Sequence, residues 1–364
     1  MAGYTVRPYR DSPAARAALF DFYRAAYAGM PEFLDPARFE WQTVANPLVG
    51  PGKDYLFLLH DEAGKIVGQN LLIPYRLVID GETRDALCST NLVVLPGLVG
   101  KRLGHLLIER HEQEGEICFA VGITPASSRA FQKRGWVPFD DARLHAQFRH
   151  PRPCLRFAKR GALVSLLAAP AIHGLNALLA LLRPFRVPSR LPDVVAEEIE
   201  RFDPAWDPVW RECLAPHAIA FERRADLLNW KFRARTDVRH TALLFRHHGT
   251  PVAYLVYRLS TNPGRGLTLG RIVDLVYRRD VHPRFPHYLI GVARRALAAQ
   301  GVDGVVGIAA SGELRAAYRA NGLVLTRPQP AIIRERHFSL AALRRSYPDR
   351  WYITLADSDL DNYW

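Results

Sequence analysis

Two stretches of this chain carry the same order of elements, and that repetition narrows the available folds more than any single residue does. Trp41, in Arg-Phe-Glu-Trp-Gln-Thr-Val, is answered by Trp230, in Leu-Leu-Asn-Trp-Lys-Phe-Arg. The strand, turn and strand of Tyr55 to Ile73, turning at Gly64, return as Thr241 to Phe245, Gly249 and Pro251 to Leu259. Leu267 to Tyr277 then matches the apolar run that ends near Leu95, His287 to Ala299 the helix after it, and Val305 to Ala309 the next strand. The offsets of Trp41 to Trp230, Gly64 to Gly249 and Gly135 to Gly322 agree at roughly 185 to 190 residues, as a duplicated unit requires. A chain of 364 residues is too long for one ordinary core. The spacing predicts two domains, 1–150 and 193–364, joined by a linker over 151–192.

Within the first copy, Tyr4 to Arg10 alternates like a strand, and Ser12-Pro13 supplies a cap and first turn for a helix carrying Ala17, Phe20, Phe22, Tyr23 and Tyr27. Strands are expected at Tyr55 to His60, Ile66 to Ile73, Tyr75 to Ile79 and Arg84 to Leu95. After Leu95 come a loop with three glycines and then Leu103, Leu106 and Leu107 at helical spacing, so Leu92 to His111 reads strand, tight loop, helix. That arrangement suits an anion. Glycine lets the backbone approach a phosphate, the free N–H groups of a helix's first turn point at it, and Lys101 and Arg102 add full charges.

This stretch resembles the GCN5-related N-acetyltransferase superfamily, whose loop after the fourth strand reads Arg/Gln-x-x-Gly-x-Gly/Ala. The matching residues here are Val99, Gly100, Lys101, Arg102, Leu103 and Gly104, with Val99 in place of the polar residue and Arg102 in place of the first glycine. Phe119 to Trp136, closing Phe-Gln-Lys-Arg-Gly-Trp, is similar to the family's next mark. The resemblance implies an α/β (α+β) fold of two tandem acetyltransferase-like domains, each a mixed, mostly antiparallel sheet flanked by helices. It implies acetyl-CoA or another acyl-CoA as cosubstrate, an amine acceptor attacking the thioester directly, a pyrophosphate held by residues 99–104 with His105 beside them, and a backbone N–H at Val94 near the thioester carbonyl.

Such a reaction also needs groups that take a proton from the amine and return one to the thiolate. The family's tyrosine acid is replaced in the first copy by Phe131, which leaves Cys88, Ser89, Thr90, Asn91 or water near the open strand. In the second copy Tyr318 falls at the tyrosine position and Asp274 could act as base, but the loop from Arg278 to His287 has no glycine and carries two prolines. Proline offers no N–H, although Arg278, Arg279 and Arg284 could hold a phosphate by charge. Either the first domain binds the donor and the second shapes the acceptor pocket, or the second is catalytic.

A net charge of +13 favours acidic partners, among them coenzyme A phosphates, an acidic carrier protein, a nucleic-acid backbone or an anionic membrane face, of which nucleic acid is not the expected partner. Four cysteines without a Cys-x-x-Cys pair argue against disulfide and metal frameworks, and the N-terminal residues lack a secretory signal, so the expected compartment is the cytoplasm. Gly161 to Leu182 holds no Asp, Glu, Lys or Arg and is bracketed by arginines. Two short apolar helices broken near Pro170 to Gly174 are expected there, buried between domains or lying peripherally in a membrane interface. Asp357, Asp359 and Asp361 alternate in a tail expected to form a terminal strand with a solvated acidic end. The leading reading is a small-molecule N-acyltransferase. The alternatives are an acyltransferase of envelope or lipid metabolism that uses carrier protein or works at a membrane, an enzyme taking amino acids from aminoacyl-tRNA, with no basic arm to support it, and a noncatalytic coenzyme A-binding scaffold.

Overall fold

The structure is a computed structural model that describes residues 3–139, 141–157, 162–262, 264, 266–335, 338, 339, 342, 343, 346, 351–357 and 361. The chain forms two compact units assembled from discontinuous pieces, one from Met1–Phe139, Asn229–Val238 and Pro330–Ala342, the other from Asp140–Leu228, Arg239–Gln329 and Leu343–Trp364. These differ from the contiguous spans 1–150, 151–192 and 193–364, because pairing across the chain outranks sequence proximity.

In the first unit the elements run β1 (Thr5–Pro8), α1 (Pro13–Ala26), α2 (Pro36–Thr43), β2 (Leu56–His60), β3 (Ile66–Ile79), β4 (Glu82–Val94), α3 (Gly104–Glu114), β5 (Cys118–Val121), α4 (Pro125–Gln132) and β6 (Val137–Phe139). Ser12 caps α1 by accepting from the Ala15 N–H, with Pro13 inside the first turn. The two strands expected at 66–73 and 75–79 are one, continuous through Pro74. The Leu87 N–H opposite Pro74 turns to Ile117 O, so the pair exchanges no ladder bond, and Pro74's missing N–H faces the edge where β2 has already ended at Leu56 opposite Leu71.

The second unit contains β7 (Arg143–Phe148), α5 (Pro151–Phe157), α6 (Ala162–Arg186), β8 (Val194–Glu198), α7 (Asp207–Leu214), β9 (Ile219–Phe221), α8 (Ala225–Phe232), β10 (Thr241–His247), β11 (Thr250–Asn262), β12 (Leu267–Tyr277), α9 (Phe285–Ala299), β13 (Gly304–Ala309), α10 (Gly312–Ala320) and β14 (Leu325–Pro328). The last part of α8 belongs to the first unit. Two strands remain, β15 (Ala331–Arg334) and β16 (Trp351–Tyr352). The sheet of the first unit has the order β1-β2-β3-β4-β5-β15-β6 and that of the second β8-β10-β11-β12-β13-β7-β14. Along these orders every pair is antiparallel except β4–β5 and β12–β13, and off them β9 and β16 form a short parallel pair. Each sheet thus receives one strand from the opposite half of the sequence: β15 lies between β5 and β6, and β7 between β13 and β14.

The repeat-related tryptophans meet inside the first unit. Trp41 and Trp230 stack at 5.1 Å, and each indole donates to the other's backbone carbonyl, at 2.8 and 3.0 Å. Burying both polar N–H groups with partners makes the pair a specific joint as well as an apolar one.

Two expectations are corrected in the second unit. The apolar linker is a single helix, α6, running unbroken through Pro170 and Pro184. Pro170 is exposed, and its ring removes one hydrogen bond of the helix without ending it. The acidic tail is not solvated: Asp357 and Asp361 are buried, while Asp359 lies outside the described residues. Asp361 accepts from Arg258 Nε at 2.9 Å, His240 Nε2 at 2.8 Å and Arg271 at 3.3 Å. Burial alone would raise its pKa, but Arg258, His240 and Arg271 outweigh that and hold the carboxyl well below the usual carboxylate range. Stability drawn from Asp361 is therefore complete above its unfolded pKa of about 3.9 and is lost as pH falls below it. Asp361→Asn, which leaves these cations without their charge partner, is expected to cost about 3–5 kcal/mol in chemical denaturation at neutral pH and less in strong acid. An unchanged midpoint at neutral pH would contradict this anchoring role.

Candidate functional site

In the first unit β4 departs from regular pairing at the point where it meets the site. Gln69 pairs with Val93 and Leu71 with Thr90, so Asn70 faces both Asn91 and Leu92, a bulge with one extra residue. Asn91 takes a left-handed φ of 55°, which asparagine tolerates better than most residues. Its carbonyl accepts from the Tyr27 hydroxyl at 3.2 Å and Gln69 Nε2 at 3.3 Å, and Gln69 also donates to the Tyr27 oxygen at 2.9 Å. Tyr27 is half-buried and stacked on Phe33 at 3.8 Å. Neither Tyr27 nor Gln69 carries a motif, and only the bulge makes them neighbours of the site.

Beyond the bulge the sheet opens. The β4–β5 ladder consists of Leu87 with Cys118 and Cys88 with Phe119, yet β4 continues to Val94 and β5 to Val121. Leu95 donates its N–H to Val67 O at 2.9 Å on the β3 side. Strand alternation then turns the Val94 N–H to the other edge, where β5 has diverged.

The loop that follows presents a row of amides. Val99, Lys101 and His105 N–H groups bond back within the loop. Among the described residues, those of Gly100, Arg102, Leu103 and Gly104 take no intramolecular acceptor, and the N-terminus of α3 has no side-chain cap. Arg102 has a φ of 59°, so this arginine adopts the backbone conformation that the glycine of the motif would adopt freely, at a cost of about 1–2 kcal/mol. A Cβ added at Gly100 or Gly104 would meet nothing within 4 Å, so the space over the loop is open. Val99, Lys101 and Arg102 are exposed, and Leu103 is buried in the core beside Leu107. Among the described residues Lys101 and Arg102 form no ion pair. Burial and then Arg134, Lys133 and Arg102 lower the pKa of His105, a sign of positive potential at the start of α3. The residues present therefore fit a diphosphate: several amide donors, a helix N-terminus, two unpaired cations and room above them.

Cys88, expected beside the open strand, is fully buried, with its thiol directed at the Ser89 carbonyl. Ser89 is buried as well and donates to Asn70 Oδ1 at 2.8 Å. The side chains of these two residues thus belong to the sheet interior and not to a surface where an acceptor could bind.

The second unit has the same framework and a different outcome. Its fourth strand, β12, is also bulged, at Val273, and its ladder with β13 stops at Ile272 and Gly307 while both strands continue. Here the chain's own tail occupies the edge. Ala356 N–H donates to Val273 O at 2.9 Å, the Tyr352 hydroxyl to Leu275 O, and Thr354 Oγ1 to Asp274 at 2.8 Å. Asp274, expected as a base, is fully buried and also accepts from Arg223 Nε at 2.8 Å and the Tyr254 hydroxyl at 2.6 Å. Arg223 binds Asp357 of the tail at 2.7 Å. Tyr318, expected as an acid, is also fully buried and stacks on His145, and a Cβ on Gly307 would collide with its hydroxyl. Burial, then the charge of Asp274, pushes its pKa far above the ordinary phenol value. Both residues are corrected to structural roles: neither meets solvent, so neither can reach a substrate in this conformation. The arginines of the second loop are engaged too, Arg278 with Asp280 at 2.6 Å, Arg279 with Glu313 at 2.9 Å and Arg284 with the Phe185 carbonyl at 3.0 Å. One grouping escaped sequence reasoning: Asp193, His247 and His248 bring a ligand atom each within 4.8 Å of one another at the surface. The adjacent histidines were the available signal, but the aspartate arrives through the β8–β10 pairing.

No family model and no curated protein sequence matches the chain. Solved structures do. N-myristoyltransferase of Saccharomyces cerevisiae, crystallised with myristoyl-CoA, is 10% identical with a TM-score of 0.57, covering 92% of this chain and 83% of its own. A GCN5-related N-acetyltransferase from Anabaena variabilis is 12% identical with a TM-score of 0.56, covering 91% of this chain and 72% of its own. A protein of Enterococcus faecalis described as a probable N-acyltransferase is 11% identical with a TM-score of 0.54, with the same coverage. Sheet order, the parallel β4–β5 pair, its splay and these likenesses agree: the chain has the fold of the GCN5-related N-acetyltransferases, in a tandem, two-unit form.

Proposed function

We propose that this protein is an N-acyltransferase that binds an acyl-CoA on its first unit and transfers the acyl group to an amine. The observation that carries this reading is the contrast between the two fourth strands. In the first unit the splayed edge and the loop amides are open, whereas in the second the same edge is filled by residues 352–356.

In this reading the amides of Gly100, Arg102, Leu103 and Gly104, with the Lys101 and Arg102 side chains, hold the diphosphate. The pantetheine arm lies along the divergence of β4 and β5. The Val94 N–H polarises the thioester carbonyl and stabilises the negative charge on its oxygen when the amine attacks. The new C–N bond forms as the C–S bond breaks, the amine loses a proton to water at the open strand, and the coenzyme A thiolate takes one up. With Phe131 at the family's tyrosine position, the Tyr27 phenol, fixed beside the bulge by two hydrogen bonds, is the group we assign to the thiolate's proton. The acceptor is an amine approaching from the solvent side of the bulge, and a net charge of +13 also suits a donor presented on an acidic carrier protein.

Thermal unfolding with coenzyme A, acetyl-CoA and a long-chain acyl-CoA tests donor binding. Free ligand at about a hundred times Kd should stabilise the protein by about 2.7 kcal/mol. Lys101→Glu with Arg102→Glu should weaken donor binding by roughly a hundredfold or more, since two charge-assisted phosphate contacts are lost. Arg278→Ala should leave it unchanged. No shift with any acyl-CoA would overturn the proposal.

His105 supplies an independent readout by NMR titration. Nearby cations disfavour its protonation, so a bound diphosphate that offsets them should raise its pKa; an unchanged or lowered value would place the anion elsewhere.

For Tyr27→Phe, the expected result in free-thiol release assays is a kcat lower by about a hundredfold, as for loss of a general acid, with little change in donor KM. A raised donor KM with kcat unchanged would instead assign Tyr27 to packing around the donor.

A further inference from the structure

We propose that the outer face of α6 docks the protein on an anionic lipid surface, lying along the membrane and not across it. This goes beyond acyl transfer and does not depend on it.

The helix is amphipathic in an unusual sense. Its inner face is defined by Ala169, Ile172, Asn176, Leu179 and Arg183, which are buried or half-buried, and Asn176 Nδ2 donates to Phe148 O at 2.7 Å, tying the helix to β7. The opposite face should be polar for a helix in water. Instead it presents Leu167, Leu178, Leu181 and Phe185 at 68%, 54%, 72% and 78% exposure, with Leu175 and Leu182 between them. No Asp, Glu, Lys or Arg occurs from Gly161 to Leu182. The 25 residues of α6 extend about 37 Å, so these side chains form a long apolar stripe and not scattered single contacts.

Charge identifies the occupant. Arg186 and Arg190 follow directly at the C-terminal end, both exposed and, among the described residues, without an ion pair. Arg284 is exposed at the same end, bonded to the Phe185 carbonyl. Arg152 is exposed on α5, ahead of the helix. An apolar stripe ended by cations matches acyl chains beneath anionic headgroups, with arginine heads in the headgroup layer and leucines below it. No helix among the described residues is long and apolar enough to cross a membrane, and the packing of the inner face on β7 leaves one side of α6 for lipid, which is the in-plane orientation. A second copy of this chain would bring the same arginines into the same contact, and nothing on the stripe offers them carboxylates.

Co-sedimentation of the full chain with vesicles of phosphatidylcholine, with and without phosphatidylglycerol, tests this. The wild-type protein should bind the anionic vesicles, and binding should weaken with salt. Leu178→Glu with Leu181→Glu should reduce partitioning by at least about tenfold. Arg186→Ser with Arg190→Ser should remove the preference for anionic over neutral vesicles. All four positions are exposed, so the melting temperature should stay close to that of the wild type. Absence of wild-type binding at low salt, or unchanged binding of the Leu178/Leu181 variant, would overturn the proposal. So would a dimer in sedimentation velocity without lipid that this variant converts to monomer, since a second copy would then cover the stripe. Donor-induced thermal stabilisation should be the same in all these variants.

Discussion

A main-chain vacancy that each sheet cannot fill from its own half of the sequence governs this architecture. β5 and β6 of the first unit would both present unpaired N–H and C=O groups without β15, and β13 and β14 would do so without β7. Such edges are costly when buried and aggregation-prone when exposed. Exchanging one strand in each direction satisfies both, and it makes each unit depend on residues from far along the chain. The duplicated pattern is therefore not two independent domains on a string. The reciprocal stacking and hydrogen bonding of Trp41 and Trp230 follow the same logic, because two equivalent residues can satisfy each other's indole only when they meet in matching orientations.

On that shared framework the two units have diverged by what lies against the fourth strand. Opening a sheet between β4 and β5 turns the Val94 N–H toward the gap, whereas opening it between β12 and β13 exposes acceptors that the protein satisfies itself. The tail does so with Ala356, Tyr352 and Thr354, and it is held by charge: Asp357 on Arg223, Asp361 on Arg258 and His240. Buried ion pairs are poor sources of net stability but severe constraints on geometry, since removing either partner strands the other in a low dielectric. The tail is thereby fixed in one position, and Asp274 is committed to holding it.

The first unit spends conformational strain where the second spends burial. Arg102 adopts a left-handed backbone that glycine would adopt without penalty, and places a cation at the mouth of the loop. Strain retained at an exposed loop, next to open amides and a histidine in a positive field, is the pattern of a binding site more than of a packing element. α6 shows the complementary case, an apolar surface that the rest of its unit leaves uncovered although the sequence places no charge on it.

What the sequence determined by itself was local and periodic. The strand, loop and helix of 92–111, the Ser12 cap, the repeated order of elements and the tandem layout all follow from side-chain spacing and turn chemistry, which act over a few residues. The break between the strand and the helix at residues 95–103 was legible for the same reason. The tertiary structure alone decided which strand completes which sheet, that α6 runs unbroken through Pro170, and that Tyr27 and Gln69 sit at the bulge. It also removed Asp274, Tyr318 and Cys88 from solvent and buried Asp357 and Asp361. A carboxylate's role depends on whether cations and water stand beside it, and those neighbours arrive from distant segments. Nothing within reach of Asp361 in the sequence announces Arg258 or His240. Alternating aspartates look solvated until the fold brings the arginines to them.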